Sequence, residues 1–309
     1  MSERAEAKRV TVLMGGASAE REVSLRSGAA AAKALEEAGY AVALVDVGRD
    51  PAALVQFVTE SRPDVVFNAL HGRFGEDGCV QGVLNLLGLP YTHSGLLASA
   101  AAMDKAFSRR LFADAGIPVA AGAVVRRGEP SPLPLPYVVK PLNEGSSVGV
   151  YILKAGDNRT PLADWPFESD EVLVEEFVPG RELTVAVMGD RALGVLEITS
   201  ERGFYDYEAK YAPGGSRHVM PAPLPPEDYA EACRLAVAAH RALGCRGVSR
   251  ADLRYDDTVV GAKPRLVMLE VNTQPGMTAT SLVPEIAAHA GIGFPELVRR
   301  MVEEARCDG

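Results

Sequence analysis

A basic surplus, long apolar runs and closely spaced cysteines are all missing from this 309-residue sequence. Lys and Arg number 32 against 41 Asp and Glu, a formal charge of −9. No chain-wide attraction to nucleic acid or to an anionic membrane surface is therefore expected, because either partner selects a basic face. No run of about 18 apolar residues occurs, so no membrane-spanning helix is expected. The charged opening MSERAEAKRV is followed by no apolar stretch of signal-peptide length, and a cytoplasmic location is expected. The four cysteines, Cys79, Cys233, Cys245 and Cys307, lie far apart with no Cys-x-x-Cys. Neither a zinc site nor a disulfide framework is expected from them. The P-loop pattern G-x-x-x-x-G-K-[ST] is absent too. What remains, 47% hydrophobic and 24% charged, is an ordinary soluble composition with length for two or three domains and a bias toward small-molecule chemistry.

Along the first hundred residues, strand-like and helix-like patterns alternate. VTVLM (10–14), an Ala-rich helix to Gly39, VALVD (42–46), a helix through LVQFV and DVVFNAL (64–70) read as βαβαβ. Such alternation predicts a parallel sheet with ligands at the carboxyl ends of its strands, where GGASAERE (15–22) and HGRFGEDG (71–78) fall. Ser18 is expected to cap the first helix. After Met103 the pattern changes to a helix, DKAFSRRLFADAG, a proline-laced connector and short strands. EVLVEEFVPG (171–180) and ELTVAVMGD (182–190) read as a strand pair punctuated by Pro179-Gly180. Later strands are expected in GVSRADLRY and RLVMLEVN, with helices closing the chain. The long polar stretch at 201–226, ahead of these strands, reads as a lid or as a disordered segment.

Four groups of residues are candidates for chemistry. In LEVN, Glu270 and Asn272 are two apart on a strand and share a face, while Asp252 lies on a neighbouring strand candidate. Three such oxygen ligands suit a hard divalent cation, and the same spacing also describes polar positions on half-buried strands. VVKPLNEGSSVGV (138–150) sets Lys140 at the end of one short strand and a donor-rich loop before the next. That loop is either an anion-binding concavity or a surface hairpin. One of Glu175 and Glu176 must face inward if their strand is half buried, with Glu182 just beyond the turn. Glu20 and Arg21 sit at a helix start, where Glu20 either binds a ligand ammonium or complements the helix dipole.

Taken together, GGASAEREVSL, ALHGRFGEDGCVQG, GLPYTHSG, MDK, VVKPLNEGSSVGV, FYDYEAKY, SRADL, LEVNTQPGMT and SLVP occur in an order that resembles the D-alanine:D-alanine ligase family of the ATP-grasp superfamily. The resemblance implies a mixed α/β and α+β ATP-grasp fold of three domains. These are an N-terminal parallel-sheet, Rossmann-like domain over 1–94, a central subdomain over 95–180 and a C-terminal subdomain over 181–309, with a lid at 200–221. It implies ATP as co-substrate and two magnesium ions, with manganese as a substitute, held by Asp252, Glu270 and Asn272. ATP would be contacted by Lys105, Lys140, Ser147, Glu175, Val178, Glu182 and Lys210. A homodimer is implied as well.

The chemistry implied by that resemblance is phosphorylation of one D-alanine carboxylate, followed by attack of a second D-alanine amine on the acylphosphate, to supply peptidoglycan precursors. Glu20 and His71 would serve the first substrate, and Ser281 with the Leu282 amide the second. Arg250 and the Gly276 amide would stabilise the oxyanion. Ser146 and Tyr211 would join Glu20 in a network holding the closed site. Relatives that make D-alanyl-D-lactate often carry phenylalanine at the tyrosine position, so Tyr211 favours the dipeptide over a depsipeptide. A nucleotide-binding protein without catalysis would have no need of Arg250. The sequence departs from the family's pattern at Asn143, Phe74 and Gln274 and at the lid tip, APGGSRH.

Overall fold

The opening alternation folds as a parallel sheet. In the computed structural model, which describes residues 7–145, 148–199, 216–278 and 280–308, β1 (Arg9–Gly15) lies between β2 (Ala41–Val47) and β3 (Val65–Asn68). The crossovers are α1 (Arg21–Glu37) and α2 (Pro51–Ser61). Val10 and Val12 pack into one apolar cluster with Ala31 and Leu35 of α1, while Leu13 packs into another with Leu54 and Val58 of α2. Cover on both faces is why β1 reads as a continuous apolar run rather than an alternating one. The small-residue face of α1 permits close approach, since a Cβ on Gly28 would stand 2.5 Å from the Cβ of Met14. Asp50 caps α2 by accepting from the Ala52 amide at 2.9 Å, with Pro51 in the first turn.

Three helices then lead toward the middle of the chain: α3 (Cys79–Leu86), α4 (Leu96–Met103) and α5 (Lys105–Asp114). Asp104 separates the last two and caps α5 through the Phe107 amide at 2.9 Å, which fixes Lys105 as the first helical residue. Next come β4 (Gly122–Arg126), β5 (Tyr137–Pro141), β6 (Tyr151–Leu153), the single-turn α6 (Pro161–Asp164) and β7 (Glu171–Glu176). The four strands form an antiparallel sheet in the order β4-β7-β5-β6. Val125, Val139, Val172, Val174, Trp165 and Phe167 form its apolar core.

The third sheet contains β8 (Arg181–Met188), β9 (Arg191–Thr199), β10 (Arg217–Val219), β11 (Val248–Asp256) and β12 (Arg265–Asn272) in the order β10-β9-β8-β11-β12. Here the structure corrects the expected pairing of residues 171–180 with 182–190. β7 and β8 belong to different sheets, and Pro179-Gly180 carries the chain from one to the other. Gly180 has φ +89°, and a Cβ there would stand 2.2 Å from the Tyr255 carbonyl, so the crossover needs glycine. Within the expected lid, residues 217–219 form a strand on β9, while 200–215 lie outside the described residues. Helices α8 (Leu282–His289) and α9 (Phe294–Glu303) close the fold. Leu297, Val298 and Met301 of α9 return to the cluster that contains Val10 and Val12. Among the described residues no helix is long and apolar enough to cross a membrane.

Helix α7 (Pro226–Ala242) packs on the third sheet and buries His240, whose Nδ1 is 2.7 Å from the Ser249 hydroxyl. Burial pushes the His240 imidazole down to about 4 from 6.5. Burial, with repulsion from His71, pushes His93 down to about 3. Because the unfolded chain takes up these protons first, the stability contributed is complete above pH 6.5 and is lost as the pH falls toward the folded values. Between pH 7 and 5 each histidine is expected to cost about 2 kcal/mol. Urea midpoints at the two pH values check this: His240→Asn should lose less stability over the interval than the unaltered chain, and equal losses would contradict it.

Candidate active site

The second and third sheets face each other across a cleft of about 930 Å3, including its open mouth. Val138, Lys140 and Ile152 line one side, and Glu182, Arg254, Leu269 and Glu270 the other. Glu176, Phe177 and Val178, at the crossover between the sheets, also border it. A second cavity of about 740 Å3 adjoins, lined by Glu20, His71, Glu76, Arg250, Asn272 and Gly276. Lys105, Glu144 and Glu270 border both. The two spaces therefore meet at a lysine and two glutamates.

In the first cleft, period-2 alternation on β7 turns Glu175 inward, where it is 4% exposed, and leaves Glu176 half-buried. Glu175 is held by two cations: Lys140 of β5 forms an ion pair with it, and Arg109 of α5 approaches at 2.6 Å. Arg109 also donates to the Ala120 carbonyl at 2.5 Å. Lys105 lies 3.7 Å from Glu270 and donates to the Glu144 carbonyl at 2.5 Å, tying α5 to the loop after β5. Glu182 pairs with Arg254 at 3.5 Å, and Arg254 also donates to the Val178 and Gly180 carbonyls. Ser146, Ser147, Lys210 and Tyr211 lie outside the described residues.

Cross-strand register sets the acidic group. Asp252 on β11 stands opposite Glu270 on β12, and Arg250 opposite Asn272. The register shifts between Asp252 and Leu253, leaving Leu269 as an extra residue on β12, so that Leu269 and Glu270 both border the cleft. Arg250 grips Asp252 with two N–H groups at 2.9 and 2.7 Å, and the Thr184 hydroxyl donates to Asp252 at 2.7 Å. Asn272 accepts the Gln274 amide at 2.7 Å. Two carboxylates and an amide are a hard-oxygen set that fits a magnesium-sized cation completed by water and phosphate, with Asp252 then shared between the cation and Arg250.

In the second cavity Glu20 immediately precedes α1 but makes no side-chain cap bond. Its carboxylate instead reaches toward Gly72 and Gly145, where added Cβ atoms would stand 2.9 and 3.3 Å from it. Ser18, expected to be the cap, donates to the His71 carbonyl at 2.7 Å and accepts the Glu20 amide at 3.2 Å. The helix starts later than expected because Ser18 is engaged by the loop after β3. His71 is 3.2 Å from the Ser27 hydroxyl and 3.9 Å from Glu76. Ser281 precedes α8 and accepts the Thr278 amide at 3.0 Å. A Cβ on Gly276 would lie 2.9 Å from the Ser281 hydroxyl, so these two positions are closely apposed.

Sequence patterns alone do not single out Arg109, Thr184, Glu76, Leu269 or Arg254. Arg109 has a usable signal, since it sits four residues after Lys105 on the same helix face. Gln274 also gains a role here: it accepts from Asn68 at 2.8 Å and donates to the Leu70 carbonyl, stitching the first sheet to the exit of β12.

Comparison with known proteins agrees with this geometry across nearly the whole chain. Residues 51–94 match the family model for the D-ala D-ala ligase N-terminus and residues 111–303 that for the D-ala D-ala ligase C-terminus. A D-alanine–D-alanine ligase of Paramagnetospirillum magneticum is 81% identical over 97% of this chain and 99% of its own length. One from Rhodospirillum rubrum is 61% identical with the same coverage. The crystal structure of the Bacillus anthracis D-alanine–D-alanine ligase complexed with ATP superposes with a TM-score of 0.81 at 29% identity, covering 96% of this chain and 97% of that one. On these matches, this chain belongs to the D-alanine–D-alanine ligase family.

Proposed function

We propose that the protein joins two D-alanine molecules into D-alanyl-D-alanine with conversion of ATP to ADP and phosphate. The observation that carries this reading is the junction of the two cavities at Lys105 and Glu270, which lets a nucleotide phosphate in one meet an amino acid in the other. Family membership and the ATP-complexed relative support the nucleotide.

In this mechanism a carboxylate oxygen of the first D-alanine attacks the γ-phosphorus, and ADP departs. Oxide is a poor leaving group and phosphate a good one, so the acyl carbon becomes reactive. The amine of the second D-alanine then attacks it, a proton is lost, and phosphate leaves as the amide forms. Glu20, with His71 close by, binds the first ammonium; Ser281 and the Leu282 amide hold the second carboxylate. Arg250 and the Gly276 N–H donate to the oxyanion. Lys105 and Lys140 contact phosphates, with Ser147 and Lys210, while Glu175, Val178 and Glu182 serve the adenosine portion. Ser146 and Tyr211 complete the closed network with Glu20. Two magnesium ions, held by Asp252, Glu270 and Asn272, would neutralise phosphate charge.

Division into units at 1–94, 95–180 and 181–309, cytoplasmic action in peptidoglycan precursor synthesis and a homodimer belong to the same reading. Exposed Leu86 on α3 and Leu97 on α4, 91% and 74% accessible, supply apolar surface of the kind a second copy covers. The test is phosphate release from ATP with D-alanine, with L-alanine, and with D-alanine after magnesium is removed by chelator, products being identified by mass. Release with a D-alanyl-D-alanine product only in the first mixture is expected. Release that is independent of the amino acid, or no dipeptide, would overturn the assignment.

A further inference from the structure

His218 Nδ1 lies 2.6 Å from a carboxylate oxygen of Glu285, a contact that none of the proposed chemical steps uses. His218 is the middle residue of β10, the edge strand of the third sheet, and Glu285 lies in the first turn of α8. The other ring nitrogen of His218 is 3.3 Å from the Ser216 hydroxyl, so the imidazole is held on both sides. His218 and Glu285 are 20% and 38% exposed in their side chains, so the pair is only partly screened by water.

Glu285 stands where a carboxylate bears on anion binding. Its amide donates to the Ser281 carbonyl at 3.3 Å, one turn back, so its side chain shares a helix face with Ser281. First-turn N–H groups have no partner within a helix and give its start a positive potential. In α8 that set is reduced, because Pro284 has no N–H. An uncompensated carboxylate one turn away would oppose an incoming carboxylate at Ser281 and Leu282.

We propose that His218 is a positioning residue that masks the Glu285 charge and so keeps the start of α8 receptive to the carboxylate of the second D-alanine. This rests on the assignment of Ser281 and Leu282 to that carboxylate. The N–H of His218 Nδ1 donates to the Glu285 oxygen, partly offsetting its charge and aiming the side chain toward β10. The contact also ties the sheet edge to the helix that begins beside Gly276, a residue lining the second cavity. The sign of each substitution follows. Removing the imidazole exposes the carboxylate and weakens the second substrate, whereas removing the carboxylate as well takes away the reason for the mask.

The test is the D-alanine dependence of ADP release by the full chain, fitted with separate constants for the first and second molecule. His218→Gln is expected to raise the second constant about three- to tenfold, with kcat within about twofold. Glu285→Gln should leave that constant unchanged or lower it, and the double variant should return it to within about twofold of the starting value. If Glu285→Gln weakens the second substrate as much as His218→Gln and the double variant is no better, the pair is a structural strut and the masking proposal falls. A parallel Ser281→Ala variant separates the two ideas. If it raises the second constant while His218→Gln does not, only the masking proposal fails; if it too has no effect, the carboxylate assignment fails with it.

Discussion

Arg250→Ala should lower the rate of dipeptide formation at saturating substrates by about 10²- to 10³-fold, the loss typical of one preorganised oxyanion donor. Arg250 is suited to that role by where it sits. It lines the cavity with Glu20 and Gly276, and two of its N–H groups are fixed on Asp252 at 2.9 and 2.7 Å. A donor already oriented needs little rearrangement as negative charge develops. The planar fork is part of the argument, so Arg250→Lys should recover little, because a lysine ammonium cannot grip both Asp252 oxygens while presenting further donors. Chemistry should suffer more than nucleotide binding: ATP affinity is expected to change by less than about tenfold, since Arg250 lines the second cavity, whereas Asp252, which it grips, borders the first cleft. Single-turnover rates beside equilibrium ATP binding would measure both. A rate within about tenfold of the unaltered enzyme would remove Arg250 from the oxyanion role.

Glu175→Ala should be the most destabilising single change in the first cleft, by about 3–5 kcal/mol. Glu175, Arg109 and Lys140 have side chains only 5%, 11% and 9% exposed, and the carboxylate is the shared partner of both cations. Removing it leaves two like charges buried against each other and paired with no other carboxylate among the described residues, whereas surface pairs such as Arg126–Glu171 contribute little when lost. Urea unfolding monitored by the fluorescence of Trp165, which lies in the core of the same sheet, would report the change. ATP should also stabilise the variant less than it stabilises the parent, because the stability added by a ligand grows with its affinity. An unchanged midpoint would mean that the cluster relaxes into water and carries no structural weight.

Short-range features are legible in the residues alone. The βαβαβ start, the inward turn of one glutamate of the 175–176 pair and the shared face of Glu270 and Asn272 all follow from periodicities of 3.6 and 2 along single elements. The order of motifs goes further and indicates the family, because residues that serve one site recur together even when far apart in the chain. Local patterns mislead where they meet a distant partner. Ser18 has the makings of a cap but is claimed by the loop at His71, 53 residues away. The segments at 171–180 and 182–190 look like a hairpin but enter different sheets, because Gly180 packs against the Tyr255 carbonyl.

By itself, then, the sequence determined which segments become strands and helices, which side chains share a face, and which chemical groups are available. Only the tertiary structure decided that Arg109 neutralises Glu175 from 66 residues away, that a bulge at Leu269 turns both it and Glu270 toward the cleft, and that His218 meets Glu285. The division has a physical cause: backbone preferences and side-chain periodicity act over a turn or a few strand residues, whereas ion pairs and bulges at this site are set by how segments distant in the chain pack around two adjoining cavities.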